Sequence, residues 1–355
     1  MALAQQRIAA LLTELTFSGR EHGLQVTAYL DGRLIVDAWA GTADVGTGTP
    51  VDGDTLFPVF STTKGITATL IHQLAEEGKL DYADPVAHYW PAYGAHGKAE
   101  ITIGQVLAHT AGVPQMPVGM DATAMADWDR MNAALAALSP LWPPGSRQEY
   151  HAISFGNILG EVAQRVTGQP FGALLRDRIA APLGVEDLYV GIPDAVDARV
   201  ALLTDAQPME PQPEDGTQAI PGGLWPLHAW MHRADARRAC FPASNGIMTA
   251  RAIARHYAAL LPGGVEGVEL LPPTRVRLAT QRQYPDGWTG EDVPTFALGY
   301  ALGLLEIPSA FGHSGFGGST GFADPDTGLA VGVTKNYFNP DDNTGLIVRT
   351  LRECL

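Results

Sequence analysis

A serine and a lysine three residues apart are the first residues of this sequence that could do chemistry together. Ser61 and Lys64 lie in the stretch FSTTKGI, where an apolar segment begins. The chain has four lysines against nineteen arginines, so a lysine at this place needs a reason. An ammonium can lose its proton when it is desolvated, whereas a guanidinium effectively cannot. The spacing therefore predicts a serine nucleophile with a lysine base within reach.

A helix that begins at Ser61 and stops at Gly78 is predicted to position this pair. Its apolar face comprises Ile66, Leu70, Ile71 and Leu74. At the helix N-terminus the dipole and the apolar neighbours both lower the pKa of Lys64, and the i, i+3 spacing places the two side chains on one face. The structural alternative is that Ser61 only caps the helix and Lys64 is solvated.

Two later stretches contain groups that suit the same chemistry. Tyr150 precedes a helical pattern in GSRQEYHAISFGNILGEVAQRVTG, and a neighbouring ammonium can lower the pKa of its phenol. The alternative for Tyr150 is a packed ring with a hydrogen-bonded hydroxyl. In FGHSGFGGSTGF, glycines flank His313 and predict backbone amides exposed on a strand edge, as an oxyanion site requires. Alone, this stretch is also compatible with a glycine-rich bulge.

Other motifs of the sequence are interpreted as structural. The G-x-S-x-G pattern around Ser319 matches a nucleophile elbow, but a turn and a strand follow it where the elbow needs a helix. His228 and His232 have i, i+4 spacing, but the sequence offers no evident third ligand, so we predict no metal site. No phosphate-binding loop and no dinucleotide fingerprint is found, so we expect no cofactor.

Composition and charge exclude several classes of binding partner. The chain is 46% hydrophobic and 17% charged, and its formal net charge of −15, without a basic run, opposes binding to nucleic acid or anionic lipid. The first residues, MALAQQRIAALLTELTF, carry Arg7 and Glu14 in a helical pattern, which predicts a surface helix and not a secretory signal. No segment approaches the roughly 18 apolar residues of a membrane span. We interpret Cys240 and Cys354 as thiols of a reducing cytoplasm, with a single bridge between them as the alternative.

The order of the elements predicts a discontinuous architecture. A hairpin is predicted at Asp31-Gly32, and strand patterns return late, in TFALGYALGLLEI, GGSTGFAD and GLAVGVTKNYF. We therefore expect an α/β domain from 1–80 and 236–355, a mostly helical domain from 81–235, and an active site between them. A long Pro- and Trp-rich loop in the insert carries Trp225 and Trp230, which we expect to wall the pocket unless they are ordinary packing residues.

In order along the chain, Ser61-x-x-Lys64, Tyr150-His-Ala and His313-Ser-Gly resemble the motifs of the serine β-lactamase and penicillin-binding-protein superfamily. The sequence is most similar to the class C-like branch that contains the family VIII carboxylesterases. The likeness also covers LAHTAGV, PASNGIMTARAIARHYAAL and GGSTGFADPDTGLAVGVTKN. It implies a β-lactamase-like α/β (α+β) fold, with an antiparallel sheet flanked by helices and a mostly helical inserted domain.

Two positions depart from the β-lactamases and penicillin-binding enzymes of this branch. They have Tyr-x-Asn where this chain has Tyr150-His151-Ala152, and Lys-Thr-Gly where it has His313-Ser314-Gly315. A mostly neutral histidine attracts a substrate carboxylate less than a lysine does. Both changes resemble the esterase members, which favours carboxylic esters over β-lactams as substrates.

The resemblance implies acyl transfer through a covalent intermediate on Ser61, with esters of short to medium acyl chains as substrates. Lys64 and Tyr150 would serve as base and acid, and the backbone N–H groups of Ser61 and Phe316 would hold the oxyanion. The residues expected beside the substrate are His313, Gly315, Trp225 and Trp230. The open alternatives are a β-lactamase, a D-amino-acid amidase or peptidase, an acyltransferase to an acceptor other than water, and a non-catalytic ligand-binding relative. The oligomeric state is left open.

Overall fold

The computed structural model describes residues 2–207, 216–289 and 293–355. The α-helices of these residues are α1 (Ala2–Phe17), α2 (Thr63–Glu76), α3 (Val86–Tyr89), α4 (Ile103–Leu107), α5 (Ala122–Ala126), α6 (Trp128–Ala136), α7 (Ser154–Thr167), α8 (Phe171–Leu175), α9 (Leu227–His232), α10 (Ala234–Arg238), α11 (Ala250–Ala258), α12 (Pro273–Ala279) and α13 (Asn343–Arg352). The strands are β1 (Gly23–Leu30), β2 (Arg33–Asp44), β3 (Thr49–Pro50), β4 (Phe57–Phe60), β5 (Leu188–Val190), β6 (Thr204–Asp205), β7 (Gly246–Met248), β8 (Ala301–Leu302), β9 (Phe311–Ser314), β10 (Thr320–Asp324), β11 (Leu329–Lys335) and β12 (Tyr337–Phe338). Part of the predicted Pro-rich loop, 208–215, lies outside the described residues.

The largest sheet joins the two ends of the chain. Its seven strands run in the order β3-β2-β1-β11-β10-β9-β8, and every neighbouring pair is antiparallel. The central pair, β1 and β11, places Val26 opposite Val333. The hairpin predicted between β1 and β2 is confirmed, since Asp31 and Gly32 have φ angles of 48° and 71°. The antiparallel sheet flanked by helices that the sequence predicted is therefore confirmed.

Helices cover both faces of this sheet. On one face, α1 and α13 pack their apolar residues against alternate positions of β11, such as Val331 and Val333. The predicted N-terminal helix is confirmed, and its buried residues include Ile8, Leu12 and Leu15. On the other face α11 crosses β11 closely, because a Cβ at Gly332 would lie 2.3 Å from the Ala250 carbonyl oxygen. The sheet is thus buried on both sides.

Two smaller sheets connect the inserted segment with the rest of the chain. The strands β4, β7 and β5 form one antiparallel sheet, and β6 pairs with β12 in parallel. The strands β5 and β6 lie within the segment that was predicted to be mostly helical, and they are too short to show a period-two pattern. The domain boundaries, 1–80 with 236–355 and 81–235, stay a prediction.

The late strands are confirmed in two of three cases. The strands β10, β11 and β12 form where GGSTGFAD and GLAVGVTKNYF predicted them, so Ser319 precedes a strand and not a helix. The predicted strand TFALGYALGLLEI is wrong except for β8. Gly299 and Gly303 have φ angles of 84° and 67°, and such left-handed residues interrupt an extended strand. In the described part of the chain, no helix combines the length and apolar character needed to cross a membrane.

Candidate active site

A strained residue presents Ser61 at the junction of β4 and α2. Phe60, the last residue of β4, has a φ angle of 45°, a left-handed conformation that non-glycine residues rarely adopt. The helix α2 then begins at Thr63, with Thr62 in the N-cap position. The helix therefore starts two residues later than predicted. Because Thr62 holds the cap position, the capping alternative for Ser61 is not observed.

Lys64 is fully buried and its amine faces three oxygen atoms. The Nζ atom lies 3.2 Å from Ser61 Oγ, and it donates to the carbonyl oxygens of Ala152 at 2.6 Å and Ala243 at 2.9 Å. Desolvation lowers the pKa of Lys64 well below its usual value, as expected for an ammonium that has left water without a counter-ion. The predicted direction is confirmed, and burial favours the neutral amine.

The two carbonyls reach Lys64 because α7 and a neighbouring turn pack closely. A Cβ at Gly156, in the first turn of α7, would lie 2.3 Å from the backbone nitrogen of Ala243. Only glycine allows this approach, which brings the turn that contains Ala243 alongside Ala152. Sequence reasoning missed both acceptors, and no signal marks them because every residue carries a carbonyl.

The Tyr150 ring lies next to the Lys64 amine, and its phenolic oxygen is buried. Lys64 Nζ is 4.7 Å from the centroid of the Tyr150 ring. Among the described residues, Tyr150 Oη has no hydrogen-bond partner of good geometry. Burial raises the pKa of Tyr150, and the nearby Ser61 hydroxyl opposes this only in part. The predicted lowering of this pKa is wrong, because burial of the phenol favours its neutral form and the ammonium that would lower the pKa is itself destabilised by burial.

His313 is also buried and neutral. Burial, followed by the charge of Lys64, lowers the pKa of His313 to about 3. Its Nδ1 atom lies 2.7 Å from the Ser314 carbonyl oxygen, which can only accept, so the proton is on Nδ1 and Nε2 is an acceptor. His313 Nε2 has no partner among the described residues. The ring centroids of His313 and Tyr150 are 5.9 Å apart.

Two histidines that sequence reasoning did not single out pack near Tyr150. The ring centroids of His109 and Tyr150 are 5.0 Å apart. His151 Nε2 accepts from the backbone N–H of Val113 at 3.1 Å, and its Nδ1 lies 2.6 Å from the Glu149 carbonyl oxygen. Burial lowers the pKa of both histidines, in His151 to about 4. They hold the loop before α7 and add no positive charge to the site.

The loop after β9 brings Phe316 beside Ser61. A Cβ at Gly315 would lie 2.0 Å from the Val59 carbonyl oxygen, so Gly315 permits close packing on β4 and is not among the residues that line the cavity. Among the described residues, the backbone N–H groups of Ser61 and Phe316 donate to no backbone carbonyl. Both groups are therefore free to bind an oxyanion.

A cavity of about 380 Å³ opens beside Ser61, Tyr150 and His313. Its apolar lining includes Ile153, Ile220, Leu224, Leu227, Phe296 and Phe316. No lysine or arginine is among the described residues of this lining. Of the two predicted walls, Trp230 lines the cavity, whereas Trp225 packs edge-on against Phe316 with ring centroids 6.1 Å apart. The cavity is therefore apolar and carries no formal positive charge.

The remaining candidates have structural contacts. His228 Nδ1 lies 3.7 Å from an Asp205 carboxylate oxygen, and His232 Nε2 lies 2.9 Å from a carbonyl oxygen. Within the described residues, no group of three histidine, cysteine or acidic side chains could hold a metal ion. Cys240 and Cys354 are free thiols, so the predicted alternative of a bridge is not observed. Burial raises the pKa of Cys240 to about 12.

The chain is similar to known proteins in both sequence and structure. The Beta-lactamase family model matches residues 7–351. The chain is 36% identical over 343 residues to the esterase/beta-lactamase LipL of Mycobacterium tuberculosis (strain ATCC 25618 / H37Rv), covering 90% of this chain and 78% of that protein. A crystal structure of a family VIII carboxylesterase is 33% identical, with a TM-score of 0.89, covering 99% of this chain and 98% of the other. A penicillin-binding protein homologue from Caulobacter crescentus is 32% identical, with a TM-score of 0.86 and the same coverage.

Proposed function

Because the chain belongs to the beta-lactamase family, we propose that it is a serine hydrolase that cleaves small neutral carboxylic esters through an acyl-enzyme on Ser61. The surroundings of Lys64 Nζ carry this proposal. A neutral amine has two protons and one lone pair, and the carbonyls of Ala152 and Ala243 can accept both protons. The lone pair then remains for the third neighbour, Ser61 Oγ at 3.2 Å. A buried lysine held in this way is a base for the serine proton.

In the acylation step, Ser61 Oγ attacks the ester carbonyl while its proton passes to Lys64 Nζ. The negative charge that develops on the carbonyl oxygen is bound by the N–H groups of Ser61 and Phe316. Tyr150 then donates its phenolic proton to the leaving alkoxide and regains one from the Lys64 ammonium. The raised pKa of Tyr150 suits this role, since it keeps the phenol protonated until the alkoxide forms.

In the deacylation step, water enters at the place that the alcohol has left. The Lys64 and Tyr150 pair takes one proton from this water as its oxygen attacks the acyl carbon. The same proton returns to Ser61 Oγ when the tetrahedral intermediate breaks down to the acid. The cycle restores a neutral amine, a phenol and a serine hydroxyl, so no proton is gained or lost at these groups.

The cavity favours a neutral ester over an anionic substrate. Within the described residues, its lining has no lysine or arginine, and His313 with its low pKa stays neutral. A substrate carboxylate would therefore be buried without a counter-charge, which is costly. The relative from M. tuberculosis carries both activities in its name, esterase and beta-lactamase, so β-lactam cleavage is the second activity to be measured.

The experiment compares hydrolysis of p-nitrophenyl butyrate and nitrocefin by the wild type and Ser61→Ala. We expect ester turnover that is lost in Ser61→Ala, with little nitrocefin cleavage. Comparable nitrocefin turnover would assign a β-lactamase, and ester turnover that survives in Ser61→Ala would overturn the mechanism. Adding a competing alcohol and analysing the products by mass spectrometry would separate hydrolysis from transfer to another acceptor.

We also propose that the protein acts in the cytoplasm. Its two free cysteines support this location, because a reducing compartment keeps thiols unpaired. Fractionation of the source cells with an antibody to the protein would test it, and recovery outside the cytoplasmic fraction would contradict it.

A further inference from the structure

Besides Tyr150 Oη and His313 Nε2, two further polar groups of the residues that line the cavity have no protein partner among the described residues. They are the indole N–H of Trp230 and the hydroxyl of Ser244. Both side chains are almost fully buried, with exposed fractions of 4% and 7%. A buried donor without a partner is costly and uncommon in native proteins, and it is often satisfied by a ligand or an ordered water. The cavity offers the space in which such a partner can lie.

The two groups belong to one wall of the cavity. Trp230, on α9, packs edge-on against Phe241 with ring centroids 5.3 Å apart. Phe241 and Ser244 are joined in a turn, since the Ser244 N–H donates to the Phe241 carbonyl at 2.9 Å. The next residue, Asn245, fixes this turn by accepting from the Phe241 N–H. The turn therefore holds Trp230 and Ser244 on the same side of the cavity.

This wall adjoins the reaction centre without belonging to it. The residue before Ser244 is Ala243, whose carbonyl accepts from Lys64. The unpartnered Tyr150 hydroxyl is explained by the proposed reaction, in which it donates and regains a proton. The unpartnered His313 Nε2 belongs to a ring next to Tyr150, with ring centroids 5.9 Å apart, and so lies at the reaction centre. No step of that reaction uses Trp230 or Ser244. Their polar groups are therefore available to a part of the substrate that does not react.

The surroundings define what such a partner must be. Trp230 Nε1 can only donate, so its partner must be an acceptor, whereas the Ser244 hydroxyl can donate or accept. The neighbouring lining residues, such as Leu224 and Leu227, are apolar. No basic side chain of the described lining could balance an anion. The fitting partner is therefore a neutral oxygen within an otherwise apolar chain.

We propose that Trp230 Nε1 and Ser244 Oγ form a polar subsite that binds an ether, ketone or hydroxyl oxygen in the apolar part of the substrate. The proposal rests on the ester-hydrolase function and narrows its substrate class to esters with an oxygenated chain. Plain alkyl esters would be cleaved, but with these two groups left unpaired. The chain oxygen gives the ester a hydrogen bond that its carbon counterpart lacks.

The experiment uses pairs of esters that differ by one atom. One set is p-nitrophenyl hexanoate and its analogues with a single methylene, at C3, C4 or C5, replaced by an ether oxygen. The other set places the same replacements in the alcohol chain of hexyl butyrate, followed by titration of the released acid. Each kcat/KM is divided by the uncatalysed hydrolysis rate of that ester. We expect at least one oxygen position in one set to be preferred over the methylene by about three- to tenfold.

Two variants assign this preference to the subsite. Trp230→Phe keeps an aromatic ring and removes the N–H, and Ser244→Ala removes the hydroxyl. In each variant the oxygen-to-methylene ratio should fall towards one. Trp225→Phe is the matched control, because Trp225 is a tryptophan beside the cavity lining that does not itself line the cavity, and its ratio should stay at the wild-type value.

The proposal is overturned if neither set shows a preferred oxygen, or if the preference survives in both Trp230→Phe and Ser244→Ala. Either result would mean that Trp230 Nε1 and Ser244 Oγ bind water or stay unpaired. Failure of the ester-hydrolase function would look different. In that case p-nitrophenyl hexanoate itself would not be cleaved, or its cleavage would survive in Ser61→Ala.

Discussion

Two buried lysines of this chain, Lys64 and Lys98, share a local environment but differ in what they can do. Both side chains are fully buried, and burial lowers the pKa of both. Lys98 Nζ donates to three carbonyls, those of Ala95 and Ala136 at 2.9 Å and that of Leu138. Lys64 Nζ has two carbonyls and, as its third neighbour, the Ser61 hydroxyl.

The difference lies in the third neighbour of each amine. A carbonyl can only accept, so the three carbonyls around Lys98 favour an amine that keeps its protons. A hydroxyl can also donate, so the oxygen next to Lys64 can give its proton to a neutral amine. Burial alone therefore makes a structural lysine, and burial beside a hydroxyl that faces a cavity makes a base.

The largest expected effect is the loss of activity in Lys64→Met. Methionine fills a similar volume but has no lone pair that can take the Ser61 proton. Loss of a general base costs about 10²- to 10⁴-fold, so kcat/KM for p-nitrophenyl butyrate should fall by that factor. Lys64→Arg should fall by a similar factor, because a guanidinium effectively cannot lose its proton. A variant that keeps most of the wild-type rate would refute Lys64 as the base.

Lys98→Met is the matched control for this comparison. It leaves three buried carbonyls without their donor, so the free energy of unfolding should fall by about 1–3 kcal/mol, while kcat/KM stays within about twofold. The lowered pKa of Lys98 means that the folded state binds fewer protons than the unfolded state. Wild-type stability therefore rises with pH up to the usual pKa of 10.5, and this increment should disappear in Lys98→Met. Equal losses of activity in Lys64→Met and Lys98→Met would contradict the distinction between a catalytic base and a structural lysine.

A third buried lysine is expected to matter for stability through its charge. Lys335 Nζ lies 2.5 Å from Glu21 Oε1, with side-chain exposures of 3% and 0%. Lys335→Met would leave the Glu21 carboxylate buried without a counter-charge, so the free energy of unfolding should fall by about 3–5 kcal/mol. Urea denaturation measures this loss. The double variant Glu21→Gln with Lys335→Met removes both charges and should recover part of it; no recovery would place the loss in packing.

A smaller effect is expected from pH. If neutral Lys64 is the base, kcat/KM should fall tenfold per pH unit below its pKa and level off above it. The fall is not caused by the histidines of the site, because burial lowers the pKa of His313 to about 3 and that of His151 to about 4. A profile from pH 5 to 9 measures it. His313→Gln should keep the same acid limb, and its loss in that variant would assign the limb to His313.

The four lysines also show how far the sequence could be interpreted. Their rarity suggested that Lys64 needed a special reason, but Lys98 and Lys335 are equally rare and buried, and neither has a serine three residues before it. The rarity of lysine therefore did not distinguish Lys64 from the other lysines, and the spacing to Ser61 predicted the chemistry. Helical periodicity likewise predicted α1 and α2, because apolar residues that each helix buries recur at helical spacing in the sequence.

The features of the site that the sequence did not predict depend on contacts between segments that are far apart along the chain. The carbonyls of Ala152 and Ala243 reach Lys64 only after α7 has packed on a turn nearly ninety residues away in the sequence. The predicted direction of the Tyr150 pKa was wrong for the same reason, because it depends on how completely the folded chain buries the phenol. Short strands such as β5 and β6 carry too few residues for a pattern.

The smallest expected effect belongs to the fourth lysine, Lys79, which completes the comparison. Its side chain is 42% exposed, and its Nζ lies 2.8 Å from a carboxylate oxygen of Glu77. That carboxylate also binds Arg178 at 2.6 Å, so it keeps a positive partner when Lys79 is removed. Lys79→Ala should change the free energy of unfolding by less than about 0.5 kcal/mol and leave kcat/KM unchanged. A loss above about 1 kcal/mol would show that the exposed fraction and the partners of a lysine do not predict the effect of removing it. The contrast between Lys64 and Lys98 would then need another cause.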